Sequence, residues 1–233
     1  MNPRSSARPS KRTVGIAFGI AIAAAVVLVA VAVLLRNGDS TPAATANPVV
    51  DLQGIPQTGG VLGSPSAKVT LIEFADPQCP ACRLYSESIF PTLVKEYVRT
   101  GKVAAEFRGF PFIGEDSVTG YRHLLAAGEQ NKLWNLLEAL YRNQGAENSG
   151  WLTEDLVRQL GAAIPGLDVD RLITDSNRPD IVAEASSAAA KASAAGIQGT
   201  PTLLVKIGDS APYLIQVTSA DDMRAALDDA LTG

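Results

Sequence analysis

Lys68-Val69-Thr70-Leu71-Ile72-Glu73-Phe74-Ala75, followed by Asp76-Pro77-Gln78 and then Cys79-Pro80-Ala81-Cys82, is the stretch that decides how this chain is read. Lys68–Ala75 is a nearly continuous apolar run, the pattern of a strand covered on both faces. Arg83-Leu84-Tyr85-Ser86-Glu87-Ser88-Ile89-Phe90 opens a helical pattern directly after the second cysteine. Cys79 and Cys82 are the only two cysteines among 233 residues, and they stand three apart between that strand and that helix. This is the placement of a redox pair.

Helix-start physics says why the placement matters. With Cys79 at the N-cap, Pro80 falls at the first helical position, where its missing N–H costs nothing. An N-cap side chain accepts from the second and third helical N–H groups, here Ala81 and Cys82. The positive end of the helix dipole adds to this. Both effects favour thiolate over thiol, and in such motifs the pKa falls from about 8.5 to roughly 3.5–7.5. The expectation is a reactive outer sulfur on Cys79 and a more buried, resolving sulfur on Cys82. The plainer reading, an inert disulfide, closes too small a loop to add much stability.

Composition narrows the function classes. Hydrophobic residues make up 46% of the chain, enough for a core. Residues 1–36 carry five of the 20 basic side chains and no acid, leaving 15 basic against 24 acidic residues, a net of −9. An acidic globular part argues against nucleic acid as a partner. The single histidine, His123, excludes a multi-histidine metal site, and two cysteines do not complete a four-ligand zinc site. No metal and no cofactor beyond the cysteine pair itself is expected.

Val14 to Leu35 is 22 uncharged residues, about 33 Å as a helix and long enough for the bilayer core. Four basic residues precede it, which keeps the N-terminus cytoplasmic. A cleaved signal peptide is the rival reading: its apolar region is usually shorter, about 7–15 residues, though Ala44-Thr45-Ala46 offers a cleavage site. Either reading puts the globular part outside the cytoplasmic membrane, where disulfides persist. The expected organisation is a basic tail at 1–13, a transmembrane anchor at 14–36, a flexible tether at 37–58 and a folded domain at 59–233.

Along the domain, Val61-Leu62-Gly63-Ser64-Pro65 suggests a short edge strand, and Lys68–Ala75 is the first clear one. A helix from Cys79 to about Thr100, bent near Pro91, leads to a second strand at Lys102–Phe110. Two strands flanking a helix make a right-handed βαβ unit. Helical patterns then run through about 115–195, with starts near Tyr121, Leu133, Thr153, Leu167 and Pro179. Gly199–Ile207 and Pro212–Val217 read as a hairpin turning at Gly208-Asp209, and Asp221–Leu231 as a closing helix.

With Glu73-Phe74 ahead of the motif, Cys79-Pro80-Ala81-Cys82 itself, an all-helical insertion, and Gly199-Thr200-Pro201-Thr202 opening the next strand, residues 60–231 resemble the DsbA/BdbD family of thiol–disulfide oxidoreductases. The resemblance implies an α/β, thioredoxin-like fold with the helical insertion, preceded here by a single N-terminal transmembrane helix. It implies a cis Thr200–Pro201 bond facing the cysteines and a Thr200 backbone presented to a substrate strand. It implies that Glu73 relays a proton to Cys82. Position 81 is alanine where many oxidising members carry histidine, which implies a less stabilised thiolate. The expected activity is oxidation of cysteine-containing secreted or envelope proteins, with a membrane partner restoring the disulfide. Alternatives are a reductase or isomerase, or a non-catalytic peptide-binding holdase using the Pro201 edge. Beyond the motif, His123 reads as a solvated helix residue, Trp134 and Trp151 as core or groove lining, and Phe74 and Phe110 as core.

Overall fold

A computed structural model describes residues 50–233. The basic tail, the 14–36 anchor and most of the tether lie outside the described residues, and among these no helix is long and apolar enough to cross a membrane. The domain starts earlier than its sequence suggests. Val50, Leu52 and Ile55 are buried in the main core, and Gln57–Thr58 forms the first strand, β1. These apolar residues follow no strand or helix period and are buried only by long-range packing. The Arg99 guanidinium holds the segment by donating to the carbonyls of Asp51 and Gln53.

Val61–Leu62 is β2, Val69–Ala75 is β3 and Val103–Gly109 is β4. Thr202–Ile207 is β5 and Tyr213–Ile215 is β6, and the sheet among the described residues runs β1-β2-β4-β3-β5-β6. β3 is central. It pairs parallel with β4, Glu73 opposite Phe107, and antiparallel with β5, Glu73 opposite Leu203. The parallel pair confirms the βαβ unit. Strand alternation divides the faces of β3. Val69, Leu71 and Ala75 join the main core with Cys79, Cys82 and Tyr85. Ile72 and Phe74 join a smaller one with Phe110, Ala192 and Ile197.

The first helix, α1, is Pro80–Ser88. The expected bend falls at Ile89, two residues before Pro91; α2 restarts as Phe90–Leu93 and widens into a π-helical turn at Val94–Val98. Proline has no N–H to give and clashes with the carbonyl four residues back, so the break precedes it. The insertion is α3 (Glu115–Gly128), α4 (Leu133–Arg142), α5 (Glu154–Ala162), α6 (Val169–Ser176) and α7 (Pro179–Ala194), the extent read from the sequence. Thr153 caps α5 by accepting from the Leu156 N–H, as its hydroxyl predicts. The closing helix, α8, is Ala220–Thr232, capped by Ser219.

Candidate active site

Cys79 is the N-cap of α1, with extended backbone angles (φ −68°, ψ 117°) and Pro80 in the first turn. Its Sγ accepts from the Cys82 N–H at 3.3 Å. Neither cysteine is in a disulfide. The Cys79 pKa falls to about 6. The largest cause is the Cys82 thiol donating to it; burial opposes, and the Thr200 side chain and the Cys82 and Ala81 N–H groups add to the lowering. Cys82 is fully buried, and burial together with its donation to Cys79 pushes its own pKa well up.

The outer sulfur is less open than the sequence implied: Cys79 is 6% exposed. The loop before β5 folds over the helix start, and as a thiol Cys79 donates to the Thr200 carbonyl oxygen at 3.3 Å. Thr200–Pro201 is cis and faces the cysteines, 121 residues away in the chain. Pro80 and Ala81 are exposed, so approach to the sulfur is over the helix start.

The loop leading into Cys79 is clamped by the insertion. The buried Asp76 carboxylate accepts from the Gln78 N–H (2.8 Å) and Ser117 Oγ (2.7 Å) on one oxygen. Its other oxygen takes the Phe112 (2.9 Å) and Ile113 (3.2 Å) N–H groups. Burial raises its pKa against the pull of these four donors. The Gln78 side chain bonds Ser117 and Asn148, and Gln144 Nε2 donates to the Pro77 and Cys79 carbonyls. Asp76→Asn is expected to destabilise the fold by about 2–4 kcal/mol, because an NH₂ replaces one acceptor oxygen and confronts buried donors. Denaturant unfolding checks this, and a change under about 0.5 kcal/mol would show that the clamp does not hold the loop.

Glu73 is 2% exposed, and its pKa rises to about 8, first by burial, then by Glu138 and Cys79 nearby. A residue not singled out in the sequence shares its surroundings: Glu138 of α4, 1% exposed and likewise raised to about 8, chiefly by burial. His123 corrects its reading as solvated. It is buried on α3, its Nδ1 2.8 Å from the Thr119 carbonyl oxygen, and burial lowers its pKa. The insertion packs α3 between other helices, so a polar side chain there turns inward and bonds its own backbone.

A family described as Thioredoxin matches residues 56–229. The chain is 33% identical over 174 residues to "Probable disulfide bond formation protein D" of Bacillus cereus, covering 72% of this chain and 76% of the relative. The chain belongs to the thioredoxin-fold, DsbA/BdbD-like family of disulfide oxidoreductases. Disulfide bond formation protein D of Bacillus subtilis is 26% identical over 151 residues, 62% of this chain and 66% of that protein. The crystal structure of oxidised BdbD from Bacillus subtilis shares the fold at a TM-score of 0.65 and 23% identity, over 80% of this chain and 100% of that one. As in the family pattern expected from the sequence, this chain brings Cys79, Cys82, Thr200, Pro201 and Glu73 to one place. Asp76, Gln78, Ser117 and Glu138 join them without having stood out in the sequence. Asp76 left a signal, a carboxylate continuing a buried strand run. Glu138 left a weaker one, an acid inside the apolar stripe Leu136-Leu137-Leu140-Tyr141.

Proposed function

We propose that this protein is a thiol–disulfide oxidase anchored in the cell membrane by residues 14–36, its domain outside the cytoplasm. Its clients are cysteine-containing secreted or envelope proteins, and the Cys79/Cys82 pair is its redox group. The observation that carries the reading is the Cys79 sulfur at a helix N-cap, against the Thr200 loop, with its pKa lowered to about 6.

A client thiolate attacks Cys79 Sγ in the Cys79–Cys82 disulfide. The S–S bond breaks, its electron pair goes to Cys82, and Cys82 takes a proton by way of Glu73. The client's second thiolate then attacks its own sulfur in the mixed disulfide and releases Cys79 as thiolate. The client leaves oxidised and the protein leaves reduced by two electrons. Holding Cys79 as thiolate stabilises the reduced form, which makes the disulfide the better oxidant; this favours oxidation over reduction. A membrane partner accepts the electrons and restores the disulfide. The client strand lies along the Thr200–Pro201 edge, above the groove lined by Phe74, Gly199, Thr202, Leu204 and Leu214.

Alkylation of the reduced protein with iodoacetamide across pH tests this. Only thiolate reacts, so the rate of Cys79 modification is expected to rise with pH, reach half its plateau near pH 6 and stay level above. Cys82, buried with a raised pKa, stays silent over that range. A midpoint near 8.5, that of an ordinary thiol, would sink the oxidase and leave the holdase.

A further inference from the structure

Cys82, Tyr85 and Ser86 are the buried side chains of α1, and spacings of three and four put them on one helix face. Glu138 lies against that face, where Ser86 Oγ–H donates to its Oε1 at 2.8 Å. Glu73 shares strand parity with Leu71 and Ala75, so it enters the same core from β3. Neither carboxyl has a salt-bridge partner among the described residues. Glu138 Oε2 and the Tyr85 hydroxyl are buried with no hydrogen-bond partner among the described residues. Two bare carboxylates in one such buried space would carry both a desolvation cost and like-charge repulsion.

Building on the exchange chemistry proposed above, we propose that Glu138 is a positioning residue for proton transfer at Cys82: with Glu73 it forms a buried, coupled carboxyl pair that retains a proton at neutral pH. When the Cys79–Cys82 bond breaks, the electron pair goes to Cys82 Sγ and the proton follows from the pair. When the disulfide re-forms, the Cys82 proton returns to the pair. Glu73 is the member that acts on Cys82, and Glu138 sets the pH at which Glu73 gives up its proton. Two groups coupled in this way titrate as a unit. The charges acting on Glu138 are Arg142 from its own helix and Glu87 from α1, and Glu138 in turn acts on Glu73 of β3. Tyr85 feels both acids and Cys82, and Tyr141 feels Cys82, Glu73, Cys79 and Asp76. His123 on α3 feels Arg122 and Glu154 instead. Glu87 and Arg142 are exposed, so Glu138 is the member nearer the surface charges.

The test mixes reduced protein with excess 5,5′-dithiobis(2-nitrobenzoate). Cys79 thiolate attacks the reagent and releases one thionitrobenzoate; Cys82 then loses its proton, attacks Cys79 Sγ and releases the second. The first phase reports Cys79 and is the internal reference. The second needs a base at Cys82. Glu138→Gln keeps the volume and the acceptor for Ser86 but removes the negative neighbour. Its second-phase midpoint is expected about one pH unit below that of wild type. Glu138→Met should move it the same way, and Glu73→Gln/Glu138→Gln should match Glu73→Gln alone. An unchanged or raised midpoint in folded Glu138→Gln would overturn the role of Glu138. If wild type shows no second phase, the exchange reading itself fails. Infrared titration of unmodified reduced protein is independent of how the variants fold. A protonated-carboxyl C=O band persisting at pH 7 supports the pair, and its loss in the ordinary carboxylate range overturns it.

Discussion

Cys79→Ser is expected to bring disulfide formation in a dithiol peptide down to the rate seen without protein. The substitution is a clean probe because serine is itself a strong N-cap. The introduced hydroxyl would still accept from the Cys82 N–H, so α1 and its loop should hold. What disappears is the only sulfur placed to be attacked: Cys82 is fully buried and its pKa is pushed up. Cys82→Ser completes the argument. It keeps the sulfur with the lowered pKa, so with the disulfide form of the peptide its Cys79 thiolate should break the peptide S–S bond, form a mixed disulfide and release one peptide thiolate, with no Cys82 thiol left to free the peptide. Mass spectrometry of the trapped species reads this directly. Turnover surviving in Cys79→Ser, or multiple turnover in Cys82→Ser, would defeat the mechanism.

Trp134→Ala is expected to have the largest effect on stability, a loss of about 3–5 kcal/mol. The Trp134 ring is buried, stacks on Phe90 (centroids 5.1 Å apart, 5° between planes) and meets Phe107 edge-on at 6.0 Å. Its Nε1–H donates to the Gly60 carbonyl oxygen at 2.9 Å. One side chain of α4 thus ties the insertion to α2, β4 and the turn between β1 and β2. For a domain of this size the loss should lower the melting temperature by roughly 10 °C or more. Trp134→Phe, which keeps most of the ring contact, should fall between the two. A Trp134→Ala loss under about 1 kcal/mol would mean that the insertion and the sheet do not unfold together.

What was legible in the sequence was local. The strand before the motif, the cap at Cys79, the proline after it and the length of the helical insertion follow from periodicity and turn chemistry over a few residues. The cis bond at Thr200–Pro201 was expected only through the family resemblance. The reach of that loop over the sulfur depends on two segments 121 residues apart, so the burial of Cys79 does not follow from its own neighbours in the sequence. The burial of Val50, Leu52 and Ile55 at the start of the domain is hidden for a similar reason, since they have no periodic pattern of their own.

The sequence by itself determined that a cysteine pair starts a helix after a buried strand, because capping and helix polarity act within one turn. Only the tertiary structure decided what surrounds that pair: the Asp76 clamp, the Thr200 carbonyl and the buried carboxyls of Glu73 and Glu138. Desolvation and charge coupling depend on distance in space, and these groups come from β3, the insertion and the start of β5, which meet only when the chain is folded.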